Sequence, residues 1–145
     1  IARQVLRHRS FSFQEFSQRY ARPEEMGEGW PFVVREARLQ DTKNRQNSIA
    51  TDDELLQQHW IQQQKKVIAT AQGAYNWAID NGIAKEQARC VLPEGNTISR
   101  MYMNGTLRSW LHYIDLRRSN GTQQEHADIA LVCADVISKI FPIEL

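Results

Sequence analysis

The chain has 145 residues, 41% apolar and 24% charged, with a net charge of +1. That length suits one domain with a core that needs no disulfide or metal. The balanced charge argues against a protein that coats nucleic acid or an anionic membrane, and no apolar run is long enough to span a bilayer.

The chain opens as the end of a helix over residues 1–9, with Ile1, Val5 and Leu6 on one side. Arg3, Arg7, His8, Arg9 and Arg19 gather positive charge at this end. Residues 10–20 read as irregular or extended. Pro23, Gly27, Gly29 and Pro31 break regular structure over residues 21–51, and the polar, basic stretch from Arg35 to Ser48 reads as a long functional loop. A long helix follows. Thr51 or Asp52 is placed to cap it, Asp53 and Glu54 suit its first turn, and Gly82 after Asn81 stops it. Its apolar side is read as Trp60, Val67, Ala71, Ala74, Tyr75 and Ala78. A short helix spans residues 84–92 up to Pro93, and a strand is expected over residues 97–103. A helix over residues 106–118 closes at Ser119-Asn120-Gly121. The last helix, over residues 122–140, carries the clearest amphipathic stripe: His126, Ile129, Ala130, Cys133, Val136, Ile137 and Ile140. The expected fold class is α+β, mostly helical with a small antiparallel or mixed sheet, in a single domain over residues 1–145.

Cys90 and Cys133 stand in no CxxC or Cys/His cluster, so no metal site is expected. Both are read as small buried hydrophobes, which suits a reduced, cytoplasmic compartment.

The segment from Arg7 to Tyr20 carries the chemistry. Three arginines, a histidine and several hydroxyls within fourteen residues form a donor set for anionic ligands. Glu15 among them is an acceptor for ligand donors. A solvated basic helix end over Phe11, Phe13 and Phe16 explains the composition about equally well. The pattern is more specific than the composition. An RHR triplet, Arg7-His8-Arg9, followed by seven residues and Ser17, resembles the signature of flavin-dependent thymidylate synthases. The likeness extends to Ser12, Glu15, Arg19 and Tyr20, while Gln14 stands where many members carry Asn. Upstream, Ala2-Arg3-Gln4 resembles the helix leading into that signature. Downstream, Glu86-Gln87-Ala88-Arg89-Cys90-Val91-Leu92-Pro93 is similar to the family's EXARXXLP segment. The run from Thr106 to Arg117 is similar to its helix ending in Leu-Arg, and Gln123 and Glu125 match the start of the next helix.

The resemblance implies a homotetrameric enzyme that converts dUMP to dTMP. Methylenetetrahydrofolate is the carbon source, FAD the redox relay and NADPH the reductant. It implies flavin contacts at Arg7, His8, Arg9, Glu15, Thr106, Leu107, Arg108 and His112. It implies nucleotide contacts at Gln4, Arg7, Glu15, Ser17, Gln18, Arg19 and Arg89. Arg117 would meet the uracil edge as the catalytic residue and favour its N3-ionised form. Ser17 is read as a nucleotide contact rather than a nucleophile, because no base is placed by sequence to deprotonate it. The family carries a substantial segment before the RHR motif, so this chain corresponds to its C-terminal portion. Two other readings stand beside this one: a non-catalytic flavin- or nucleotide-binding remnant of the same fold, and an RNA-binding module using the arginine cluster. The near-zero net charge counts against the second.

Overall fold

The structure is a computed structural model and describes residues 1–15, 29–119 and 121–141. In chain order the elements are α1 (Ala2–Val5), β1 (Phe11–Glu15), β2 (Arg38–Gln40), β3 (Ser48–Ala50) and α2 (Glu54–Asp80). They continue with α3 (Lys85–Ala88), β4 (Met101–Gly105), α4 (Leu107–Arg117) and α5 (Gln124–Ile140). Short 3-10 turns at Arg89–Val91 and Glu94–Asn96 follow α3. The strands pair as two small sheets, β1 with β4 and β2 with β3. The α+β class expected from the sequence holds.

Several details differ from the sequence reading; the strand expected over residues 97–103, for one, lies at Met101–Gly105. The stretch from Arg35 to Ser48 is not a plain loop. It folds back as an antiparallel hairpin in which Arg38 faces Ala50, Leu39 faces Ile49 and Gln40 faces Ser48. Its tip is tied locally, with the Asp41 carboxylate accepting from the backbone N–H groups of Lys43 and Asn44. The expected helix over residues 84–92 is shorter: it ends at Ala88 and tightens into the 3-10 turn that carries Arg89 and Cys90.

The chain divides into two compact units. The first comprises Ile1–Gln14, Arg38–Ala50 and Met101–Leu145. Its core is Phe11, Tyr113, Ile114 and Ala130, ringed by Phe13, Met103, Trp110, Cys133, Ala134 and Ile137. Helix α4 presents Tyr113 and Ile114 inward, and α5 presents His126 and Ala130. The exposed Ile129, Val136 and Ile140 show that the buried stripe on α5 is narrower than the sequence suggests. Thr106 caps α4 by accepting the Ser109 N–H at 3.2 Å. The Phe11 ring is held edge-on by Trp110 at 4.9 Å and by Tyr113 at 6.0 Å between centroids.

This packing makes Gly105, the last residue of β4, a steric requirement. A β-carbon there would lie 2.5 Å from Phe11 Cδ1 and 2.7 Å from its Cε1. Trp110 and Tyr113 keep the ring from moving aside. Gly105→Ala is therefore expected to cost about 2 kcal/mol by overpacking. Phe11→Leu in the same chain should recover part of that loss, which equilibrium urea unfolding of the single and double variants would show.

The second unit comprises Glu15–Ala37 and Thr51–Arg100. Helix α2 is capped by the Asp53 carboxylate, which accepts the Leu56 N–H at 2.9 Å. It ends at Asn81, followed by Gly82 with φ of 76°. Its inward face is Gln64, Ala71, Tyr75 and Ala78, while Trp60 and Val67, expected inside, are 44% and 54% exposed. The reason is polar. The Gln64 amide bonds both the N–H and the carbonyl of Arg35, each at 2.7 Å. Gln57 treats Ala37 the same way, at 2.7 and 2.9 Å. Two side-chain amides thus stand in for a neighbouring strand along residues 35–37 and satisfy its backbone. Trp30 packs at right angles on Tyr75 in the core formed by Tyr75, Ala78 and Ala88.

Candidate functional site

The sequence-predicted residues fall in both units. In the first, α1 ends at Val5 and the chain turns tightly, with the Arg7 N–H on Gln4 O and the His8 N–H on Val5 O. This turn leaves Arg7 and Arg9 exposed and sends His8 inward, where it is 9% exposed. The His8 ring stands edge-on to Tyr113 at 4.9 Å. Its Nε2 accepts a hydrogen bond from Arg117 Nε at 2.9 Å. His8 is therefore neutral with its proton on Nδ1. Burial, then the charge of Arg117, then His112 hold its pKa below the ordinary histidine value.

Arg117 sits half-buried in the last turn of α4. With Nε committed to His8, the plane of the guanidinium is set, and among the described residues nothing bonds its Nη1 and Nη2 edge. Thr106, Arg108 and His112 are exposed on the same helix, with Leu107 half-buried. Thr106 and Arg117 stand at opposite ends of α4, about 16 Å apart by helical rise. Arg7, Arg9, Arg108 and His112 are all exposed in this unit, so their donors are open to a ligand.

Gln4, the expected nucleotide contact, lies in a continuous polar chain. Arg38 pairs with Glu125 Oε1, and Gln123 Nε2 donates to Glu125 Oε2 at 2.9 Å. Gln4 Nε2 donates to Gln123 Oε1 at 2.9 Å. His126 Nδ1 lies 3.0 Å from Gln4 Oε1, and His126 Nε2 lies 3.1 Å from the Tyr113 hydroxyl. His126 is fully buried, and its pKa is held down to about 4 by burial, then by Arg117, then by His8. Burial raises the Tyr113 hydroxyl to about 12, so it stays a neutral donor.

In the second unit, Glu15 ends β1 and accepts from Ser99 Oγ at 2.7 Å, and Arg89 is exposed in the 3-10 turn after α3. Ser17, Gln18 and Arg19, together with Phe16 and Tyr20, lie outside the described residues.

The sequence reading passed over His126, Tyr113 and Arg38 as site residues. A histidine inside an otherwise apolar stripe was the available signal, because a buried imidazole must find partners.

The cysteine expectation needs correcting at one position. Cys90 is exposed, since the helix expected to bury it gives way to a 3-10 turn. Cys133 packs against the core of the first unit, and burial pushes its thiol pKa up. One thiol per chain, Cys90, is expected to react rapidly with Ellman's reagent, and the second only on unfolding; two equally fast thiols would contradict this. Among the described residues no three His, Cys, Asp or Glu side chains converge as metal ligands, and no helix is long and apolar enough to cross a membrane.

The arginine-rich turn after α1 and the arginine at the end of α4 are thus joined through a neutral histidine in an α+β chain. Residues 1–143 match the family described as thymidylate synthase complementing protein, and the chain belongs to that family. It is 52% identical over 142 residues to a probable flavin-dependent thymidylate synthase of Paramecium bursaria Chlorella virus 1, covering 98% of this chain and 63% of that protein. It is 47% identical over 142 residues to the flavin-dependent thymidylate synthase of Synechocystis sp. (strain ATCC 27184 / PCC 6803 / Kazusa), with the same coverage of each chain. It also resembles the crystal structure of the UMP/dUMP methylase PolB from Streptomyces cacaoi bound with 5-Br UMP. That likeness has a TM-score of 0.82 and 26% identity, over 97% of this chain and 64% of that one. The chain thus spans somewhat less than two thirds of the length of these relatives.

Proposed function

We propose that this chain is the nucleotide- and flavin-binding portion of a flavin-dependent thymidylate synthase. The reaction is the reductive methylation of dUMP to dTMP, with methylenetetrahydrofolate as carbon donor and NADPH as reductant. The observation that carries this reading is the 2.9 Å bond from Arg117 Nε to the neutral, buried His8. It joins the RHR turn to the far end of α4 and orients an open guanidinium edge.

In this reading the Nη edge of Arg117 meets N3 and a neighbouring carbonyl of the uracil ring. A fixed positive fork there stabilises the N3-ionised form and the negative charge that makes C5 nucleophilic. Gln4, Arg7, Glu15, Ser17, Gln18, Arg19 and Arg89 hold the nucleotide. Arg7, His8, Arg9, Glu15, Thr106, Leu107, Arg108 and His112 line the FAD site, with His8 acting through its packing and its Nδ1 side. Hydride transfer is the chemistry that bound FAD supplies. No cysteine nucleophile is required, in keeping with the half-buried Cys133, whose thiol is harder to ionise than usual. Assembly as a homotetramer and a cytoplasmic location complete the proposal.

The test is FAD binding by the full-length parent, followed by flavin fluorescence, and dTMP formation with methylenetetrahydrofolate and NADPH. Bound flavin with turnover is the expected result. Bound flavin without dTMP would point to the non-catalytic remnant, and no flavin binding would overturn the reading.

A further inference from the structure

The polar chain that ends at His126 has a direction, and one group sets it. The Glu125 carboxylate, paired with Arg38, can only accept. Gln123 must therefore turn Nε2 toward it and Oε1 toward Gln4. Gln4 must in turn present Nε2 to Gln123 and Oε1 to His126. An amide oxygen cannot donate, so His126 carries its proton on Nδ1. Its bare Nε2 then accepts the Tyr113 hydroxyl proton. Every amide and the imidazole tautomer follow from the first ion pair. One N–H of the half-buried Gln4 has no partner among the described residues.

We propose that His126 is a positioning residue for the nucleotide site: its Nδ1–H holds the Gln4 amide in one orientation, so that the remaining Gln4 N–H is offered to a carbonyl of the bound pyrimidine nucleotide. This deepens the thymidylate synthase reading and rests on it. The geometry suits the task. His126 is fully buried in α5 and braced by Tyr113 from α4, so it cannot swing away. Gln4 lies on the four-residue helix α1, too short to fix its own side chain, and it borrows rigidity from α5. A flipped Gln4 would set its amide N–H against the His126 Nδ1–H and its oxygen against Gln123 Oε1. The first clash is relieved only if the imidazole changes tautomer, which would also reverse the bond from Tyr113.

Two measurements test this. The first needs no variant: nitrogen-15 NMR of labelled histidine in the holoenzyme reads which ring nitrogen of His126 bears the proton. The Nδ1–H form is expected, against the Nε2–H form that predominates in unconstrained imidazole. Finding Nε2–H at His126 would overturn the proposal.

The second is a double-mutant cycle on dUMP affinity, read by calorimetry on the holoenzyme, with His126→Gln, His126→Asn and Gln4→Ala. Gln places its amide where Nε2 was, so it can meet Tyr113 but not Gln4. Asn places its amide near Nδ1 and can still donate to Gln4. His126→Gln should weaken dUMP binding roughly 5- to 10-fold, the ordinary range for one oriented hydrogen bond. His126→Asn should recover most of that loss, and FAD affinity should stay within about twofold throughout. In the Gln4→Ala background, His126→Gln should have no further effect. Additive losses, or equal losses in Asn and Gln, would show a purely structural histidine and overturn the proposal. If the wild-type holoenzyme shows Nδ1–H but does not bind dUMP, the polar chain stands as described. In that case the thymidylate synthase reading fails and the nucleotide role of His126 goes with it.

Discussion

Replacing Arg117 by lysine in the full-length parent is expected to lower dTMP formation about a hundredfold while leaving FAD affinity nearly unchanged. The structure gives the reason. In the proposed site Arg117 does two jobs with one planar group: Nε is spent on His8 at 2.9 Å, and the Nη edge is left for the uracil. A lysine ammonium is a single point of charge on a flexible stem. It can meet His8 or the uracil edge, but it cannot present a fork to one while bonded to the other. Losing one charge-assisted contact made as negative charge develops costs about 3 kcal/mol, or roughly two powers of ten in rate. The flavin contacts proposed at Arg7, Arg9, Thr106 and Arg108 are untouched, so flavin binding and dUMP-independent NADPH oxidation should persist. Steady-state dTMP formation beside FAD titration of the same variant decides the matter. Turnover near wild type would reduce Arg117 to a helix-end cation that suits the macrodipole. FAD affinity falling in step with turnover would move Arg117 into the flavin site.

The relation between His8 and Arg117 also shows how far the sequence could be read. The RHR triplet and the Leu-Arg ending of α4 were legible as separate motifs, 109 residues apart. That they meet through a neutral imidazole was not, because periodicity reports which face of a helix is apolar and nothing about which polar atoms pair across it. Helix α2 fails in the instructive direction. Gln57, Gln64, Ala71 and Ala78 recur every seven residues and face inward, with Gln64 4% exposed. The apolar series Trp60 and Val67 is displaced by three positions and faces out. A pattern count favours the tryptophan face. The glutamine face is buried because its amides complete the backbone pairing of residues 35–37, a tertiary demand that local composition does not encode. The hairpin hidden in the polar stretch after Arg35 has the same character. Its strands are three residues each, and their alternation is too brief to register. By contrast, the stop of α2 at Gly82 and the buried His126 and Ala130 of the α5 stripe follow from local chemistry and are visible in the sequence, whereas the cap of α2 falls on Asp53, just beyond the Thr51 or Asp52 expected there.

Acid should destabilise this protein between about pH 6.5 and pH 4, and His126 contributes to that loss. Its folded pKa is about 4 against an ordinary 6.5. Between those values the unfolded chain takes up a proton that the folded chain refuses. Stability from this residue is therefore complete above about pH 6.5 and is lost progressively as pH falls toward 4. A difference of that size corresponds to about 3 kcal/mol over the whole window. The refusal has a structural basis. The imidazole is fully buried and Nε2 is already accepting from the Tyr113 hydroxyl. Arg117 on α4 and His8 in the turn after α1 add positive charge nearby. A second proton would have to reverse the Tyr113 bond and place a buried cation near that guanidinium. His8, lowered by burial and by Arg117, acts in the same direction. Asp41, lowered by backbone N–H donors from a carboxylate's ordinary value, acts below this window and leaves the upper part of the curve alone. Thermal unfolding of the wild type at pH 7 and pH 4.5 should therefore differ strongly. His126→Gln, which keeps a polar group at the position but cannot take up a proton, should start from a lower melting temperature at pH 7. Its curve against pH should also be flatter. Parallel curves for the two proteins would mean that His126 does not titrate in this range, and that the buried site tolerates charge in a way the described contacts give no means to do.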